Sequence, residues 1–288
     1  MDYRVREVAR IEEHREAFER LRDSPDGLLV PEREPNVTTA ELLVENGEPV
    51  LAYLPLPEGV GELRAAVRAI PYGETVRQAT GLRNKSTVFG MSPRKLYQKR
   101  ESCRPTALAV ERPDEHAVLV WLGDLCREML EDLAPEVVAR DRMTMEPVEP
   151  EWRLADRSTW TSGVVNNTTV LPYHVDGANF PTWSAMPVLR RDVVGGHLHL
   201  PEYDLTVACR DGWVVAFNGH DLIHGVTPMR TTSADAYRIS VVYYSLRGMK
   251  DCFTYAVESA EGAIRRTGRE DGIAAALKGE QPFDFQPS

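Results

Sequence analysis

The chain has 288 residues, 42% hydrophobic and 27% charged, values that exclude a disordered or low-complexity protein and allow a sizeable buried core. No apolar run approaches the roughly 18 residues of a membrane span, and the charged start MDYRVREVARIEEHREAF has no signal-type apolar segment, so a soluble intracellular protein is expected. The net charge of −10, from 34 basic and 44 acidic residues, taken alone argues against a nucleic-acid partner.

Residues 10–22 place Ile11, His14, Phe18 and Leu21 on one helical face, and Ser24-Pro25-Asp26-Gly27 ends that helix. Residues 41–54 read as two strands around Asn46-Gly47, a dipeptide that tolerates the positive φ of a tight hairpin. A short helix is predicted over 60–70. The stretch 77–104, RQATGLRNKSTVFGMSPRKLYQKRESCR, is rich in turn and loop residues. It holds eight Lys or Arg and one Glu, a net +7, which leaves −17 for the rest of the chain. A basic island in an acidic protein is a candidate phosphate-contacting region, although a solvated surface loop has the same composition. Residues 115–133 form the clearest helix, with Val118, Leu122, Leu125, Met129 and Leu133 as its buried stripe and Pro135 as its stop.

From about residue 160 short β-rich runs follow one another, at 161–170, 184–190, 196–200, 204–209, 213–218 and 236–245, and residues 255–278 turn helical again. Many short strands at this spacing indicate a sandwich or jelly roll. The expected fold is therefore α+β: an α/β N-terminal part over 1–150, carrying the basic region 77–104, and a double-stranded β-helix (jelly-roll) core with a C-terminal helix over 151–288. Cys103, Cys126, Cys209 and Cys252 show no zinc-knuckle or redox-pair spacing, so reduced, buried thiols are expected.

The chemistry concentrates in LPYHVDGANF and DLIHGVTP. His174 and Asp176 are two apart, so on extended backbone they point to the same side, and His224 supplies a third ligand. Two His and one carboxylate on one face of an ion leave open positions for a cosubstrate and dioxygen, the pattern of non-haem Fe(II) oxygenases. Arg238 follows fourteen residues after His224 in YRISVVYYSL. Arg238, Ser240, Val242 and Tyr244 share a strand face, and on an interior face Arg238 forks onto a carboxylate while Ser240 adds a hydroxyl donor. This is the anchor expected for 2-oxoglutarate. His197 and His199 in GGHLHLPEYDL offer a rival cupin-like His-x-His pair, which leaves His174, Asp176 and Arg238 unexplained. His220 is a weaker third ligand than His224, which precedes the Gly225–Pro228 turn.

The order His-x-Asp, His, Arg-x-Ser, with Gly195-Gly196-x-Leu198-x-Leu200-Pro201 between, resembles the Fe(II)/2-oxoglutarate dioxygenase superfamily over roughly 160–247. Within it the chain looks most like the TET/JBP group and its phage and bacterial relatives, which oxidise the 5-methyl group of pyrimidines in DNA. The resemblance implies iron at His174, Asp176 and His224, and 2-oxoglutarate at Arg238 and Ser240. It implies a base-contacting role for Asn179, three residues after Asp176, and a base-stacking role for Tyr244, six after Arg238. Gly81 to Arg104, with Phe89-Gly90 and Pro93-Arg94, looks like the DNA-contacting region of compact members and gives Arg83, Arg94 and Lys95 as substrate contacts. Two departures stand out: Leu246 occupies a position where TET enzymes often carry His, and no Cys-rich zinc-binding region is present. The expected activity is oxidation of 5-methylcytosine in base-flipped DNA to the 5-hydroxymethyl base and further, by a cytoplasmic monomer without zinc in a bacterial or phage-infected cell. The alternatives are a thymine hydroxylase on DNA, a small-molecule hydroxylase of the same superfamily, and a non-catalytic jelly-roll binding module.

Overall fold

The structure is a computed structural model, and it describes residues 2–57, 61–76 and 82–278. Arg77 to Gly81, part of the basic island, and residues 279–288 lie outside the described residues. In chain order, β1 (Arg4–Glu7) leads to α1 (His14–Arg22), β2 (Glu41–Glu45), β3 (Glu48–Pro55), α2 (Gly61–Ala69), β4 (Gly73–Val76), β5 (Arg83–Ser92), β6 (Arg104–Pro105), α3 (Ala107–Glu111), α4 (Pro113–Leu133) and α5 (Pro135–Thr144). The second half runs β7 (Ser162–Asn167), β8 (Ser184–Arg191), β9 (Val193–Gly195), β10 (Leu198–Leu200), β11 (Leu205–Val207), β12 (Trp213–Phe217), β13 (Gly225–Val226), β14 (Met229–Thr231), β15 (Tyr237–Tyr244) and α6 (Tyr255–Leu277).

Among the described residues a ten-stranded sheet has the order β1-β2-β3-β12-β8-β15-β7-β5-β4, with β6 beside β5. A smaller sheet runs β11-β10-β13, and β9 pairs with β14. The large sheet takes strands from both sides of residue 150.

Alternation along the strands splits the core into two layers. On one face Leu42, Ala52, Val214, Ala185, Ile239 and Val241 pack against Leu63 and Val67 of α2, Leu119, Leu122, Cys126 and Leu130 of α4, and Val137 of α5. On the other, Leu43, Leu51, Tyr53, Met186, Val188 and Val215 pack against Leu198, Leu200, Leu205 and Val207 of the small sheet. The result is helices, large sheet and small sheet in succession. The β2–β3 hairpin forms as its sequence predicts, with φ of 52° at Asn46 and 81° at Gly47.

Five expectations are corrected. The described part of the stretch 77–104 is not mainly loop: β5 is a ten-residue strand paired to β7 from Ser86 to Gly90. Its polar even positions disguise it, because they face a cavity rather than a greasy core. Pro135 does not only stop α4; it opens α5 at a position where its missing N–H has no helical partner anyway. The α4 stripe centres on Leu119, Leu122, Cys126 and Leu130, with Val118, Leu125 and Met129 at its margin. Ile11 precedes α1 and is exposed. Finally, Cys103 and Cys252 are not free thiols but a disulfide spanning 149 residues, with Cα atoms 5.9 Å apart. No local spacing announces a bond between partners that far apart. Cys126 and Cys209 are free and buried as expected. No helix among the described residues is long and apolar enough to cross a membrane.

Candidate metal centre and its cavity

His174 and His224 face each other in an isolated antiparallel bridge. Their backbones exchange both hydrogen bonds, His174 N–H to His224 O at 2.9 Å and His224 N–H to His174 O at 3.0 Å. The pairing continues outward on both sides: Val226 N–H donates to Leu171 O and Asp176 N–H to Gly219 O, each at 2.9 Å. Backbone hydrogen bonds therefore bring the three residues together.

The side chains complete the cluster. The Nδ1 of His174 lies 2.8 Å from Pro172 O, and that of His224 2.9 Å from Leu222 O. In each case an Nδ1–H donating to that carbonyl sets the tautomer and turns Nε2 inward, as a metal-ligating imidazole requires. The inward Nε2 atoms lie 3.7 Å (His174) and 3.9 Å (His224) from the two Asp176 oxygens. One ligand atom from each residue falls within 4.8 Å of the others, a spread suited to one ion with bonds of about 2 Å. A Cβ on Gly219 would sit 2.9 Å from Asp176 Oδ2, so any larger residue there would push on the carboxylate.

The cluster opens into a cavity of about 390 Å³. Asn84, Ser86 and Val88 of β5, Val164 and Asn166 of β7, and Val242 and Tyr244 of β15 line one side; Asn179 and Leu246 line its rim. Asn179 is buried, and its N–H donates to Asp176 O at 2.9 Å. Burial pushes the Tyr244 phenol well above its ordinary pKa, with a smaller contribution from Asp176. Sequence reasoning missed the β5 and β7 contributors. The signal was available in the even positions Asn84, Ser86 and Val88 set against buried Phe89.

Arg238 and Ser240 are buried on the same β15 face, beyond that cavity's lining. Arg238 is 1% exposed, and its Nε and Nη2 are buried without a hydrogen-bond partner among the described residues. Gly196 presses on it: a Cβ there would lie 2.9 Å from Arg238 Cδ. The surroundings are cationic. Arg190 donates to Cys209 O and Gly195 O, both at 2.9 Å, and to Val193 O. Burial, then Arg190 and Arg238, hold the His197 imidazole down to about 4. A buried cation without an anion is costly.

The three basic residues expected at the substrate are not brought together. Arg94 turns to the C-terminal helix, 3.1 Å from the buried Glu258 carboxylate, and also donates to Asp251 O. Lys95 lines a neighbouring cleft that shares Leu246 with the cavity. Arg83 lines a different cleft with Arg68 and Lys85. His220 pairs with Asp221 instead of joining the ligands.

No protein-family model matches the chain, and no curated protein matches it in sequence. Among solved structures it is similar to NgTET1 in complex with 5mC DNA, with a TM-score of 0.56 and 18% identity over 77% of this chain and 83% of that one. Further matches are a 2OG-Fe(II) oxygenase family oxidoreductase from Burkholderia pseudomallei (TM-score 0.44, 16% identity, 69% and 88% covered) and the collagen prolyl hydroxylase of Paramecium Bursaria Chlorella virus-1 in its 2OG complex (0.39, 11%, 68% and 97%). The first of these shows that the chain shares its fold with NgTET1.

Proposed function

We propose that the chain is an Fe(II)- and 2-oxoglutarate-dependent dioxygenase with a double-stranded β-helix core, oxidising the 5-methyl group of a pyrimidine in DNA. One observation carries the reading: a two-His, one-carboxylate cluster opens into a cavity lined by Val242 and Tyr244 of β15, the strand that also carries the buried, unpartnered Arg238. The donor set fits iron, since it leaves positions open to a chelating cosubstrate, and the orphaned Arg238 nitrogens fit a carboxylate.

His174, Asp176 and His224 would hold the iron, and Arg238 with Ser240 the far carboxylate of 2-oxoglutarate. When bound, the pair supplies oxidative decarboxylation of the cosubstrate coupled to oxygen insertion into a C–H bond. The protein's task is then to bring the methyl group to the cluster and keep water out. A base in a duplex cannot reach a centre lined by Val88, Val164 and Val242, so it is flipped at a cost of a few kcal/mol. Tyr244 offers a stacking surface and Asn179 a carboxamide for the base edge. Leu246 brings no polar atom to that edge, so 5-methylcytosine and thymine are both to be assayed. The fold shared with NgTET1, a protein solved with 5mC DNA, supports the nucleic-acid reading.

A second reading, hydroxylation of a small molecule, is favoured by the internal pairing of Arg94 and by a cavity whose volume suits a small ligand. To decide, DNA containing 5-methylcytosine or only thymine is incubated with the protein, Fe(II) and 2-oxoglutarate, then digested to nucleosides for mass spectrometry. Hydroxymethyl products support the DNA reading. Succinate release without any modified base points to the small molecule.

A further inference from the structure

The segment His199-Leu200-Pro201-Glu202 lies behind the metal centre, and its two polar side chains are buried, His199 at 1% and Glu202 at 0% exposure. Each reaches the residue immediately before an imidazole ligand. Tyr173, which precedes His174, has its hydroxyl 2.6 Å from His199 Nδ1. Ile223, which precedes His224, donates its N–H to Glu202 Oε2 at 3.4 Å. We propose that His199 and Glu202 are positioning residues: from one four-residue segment they hold both imidazole ligands in register before an ion arrives. The proposal rests on reading His174, Asp176 and His224 as a metal centre.

The ligand segments need such a hold. Their pairing is an isolated bridge rather than a strand ladder. His199 pairs with Gly225 across the small sheet while His174 pairs with His224, so the three segments lie side by side. Burial pushes the His199 imidazole down to about 4; it is neutral, and its Nδ1 accepts the Tyr173 O–H. Its Nε2 approaches Asp204 Oδ1 at 3.5 Å without full hydrogen-bond geometry, and Arg33 pairs with Asp204 at the surface. On the other arm Glu202 Oε1 lies 2.7 Å from His14 Nδ1 of α1, and Ile11 N–H donates to Glu202 O at 2.8 Å. Burial pushes the Glu202 carboxyl up, while His14 and Arg10 pull it back. Both ligand imidazoles are thus tied, through one residue each, to the same buried segment. Direct partners of ligand imidazoles are typically worth about ten- to a hundredfold in metal affinity, and groups one residue further out are set at the lower end of that range.

The test is direct Co(II) titration of the full chain, followed by visible absorption, with the unfolding midpoint of each metal-free variant measured in parallel. Tyr173→Phe, His199→Phe and Glu202→Ala should each raise the Co(II) Kd about tenfold. The Tyr173→Phe/His199→Phe double variant should be no worse than the weaker single, since both remove the same hydrogen bond. Glu202→Gln keeps an acceptor for the Ile223 N–H and should restore affinity. Tyr53→Phe, which removes a buried hydrogen bond to Ala208 O just after β11, should lower the midpoint and leave the Kd alone. Tyr173→Phe deletes a single oxygen, so it keeps the test sound if His199→Phe does not fold. Wild-type Kd in Tyr173→Phe, His199→Phe and Glu202→Ala overturns the proposal alone. Failure of the wild-type chain to bind Co(II), or wild-type binding by Asp176→Ala, overturns the metal reading and the proposal with it.

Discussion

The metal cluster and the basic segment beside it are held in opposite ways. His174, Asp176 and His224 are fixed by backbone hydrogen bonds between two short, neighbouring segments. The segment from Pro93 to Arg104 is fixed by side chains that reach far along the chain: Arg94 to Glu258, Glu101 to Arg269, and Cys103 to Cys252. The first arrangement is short in reach, with the buried segment from His199 to Glu202 holding the residues before its two imidazoles. The second makes the rim of the cavity depend on α6, through Leu246, Gly248 and Asp251, which share a cleft with Arg94 and Lys95.

This contrast can be broken by separating metal binding from rim integrity. The largest effect is expected at the ligands: Asp176→Ala or His174→Ala should reduce succinate formation to background while the unfolding midpoint stays near wild type. Next comes the rim. Arg94→Ala leaves Glu258 buried without its ion-pair partner and should cost about 3–5 kcal/mol in denaturant unfolding, with Co(II) affinity unchanged. Replacing Cys252 by Ser should cost about 2–5 kcal/mol, again without touching the metal, and reductant should mimic it in the wild type. If either rim variant loses the metal, the two regions are not independent.

Arg238 sharpens the comparison, because it is buried yet two of its nitrogens have no partner among the described residues. Arg238→Met should raise the Kd for 2-oxoglutarate about 10- to 100-fold, the worth of charge-assisted hydrogen bonds at about 1.5–3 kcal/mol. The same change removes a buried cation with no anion, so the ligand-free variant should be more stable than wild type by about 1 kcal/mol or more. Loss of stability would mean that Arg238 has a structural partner. The smallest effect belongs to the surface cations, of which Lys99 is exposed and Lys95 and Arg100 are half-buried. Neutralising Lys95, Lys99 and Arg100 together should make log K for duplex DNA less steep against log salt, by about 0.9 for each phosphate that a cation had neutralised, with small-molecule turnover unaffected.

The same division explains what could be read from the sequence. His174 and Asp176 are two residues apart, and Arg238, Ser240 and Tyr244 fall on alternate positions of one strand, so their shared direction is written in the spacing. The β2–β3 turn and the strand runs after residue 160 are local in the same sense. Arg94, Glu258, Cys103 and Cys252 are not, because each meets a partner about 150 or more residues away. The β5 face was hidden for another reason: Asn84, Ser86 and Val88 line a cavity, and a polar cavity wall looks like a loop when hydrophobicity is the signal. His199 read as a strand residue, as it is, but nothing in GGHLHLPEYDL discloses that its neighbour across the sheet is a ligand segment.

The central claim is that His174, Asp176 and His224 with Arg238 form one working centre for Fe(II) and 2-oxoglutarate. Succinate release by the full chain tests it most directly, with Fe(II) and 2-oxoglutarate supplied in air and Asp176→Ala and Arg238→Met run beside the wild type. The account predicts succinate from the wild type, none from Asp176→Ala, and recovery of Arg238→Met only at much higher 2-oxoglutarate. Equal succinate from all three, or none from the wild type, would contradict it.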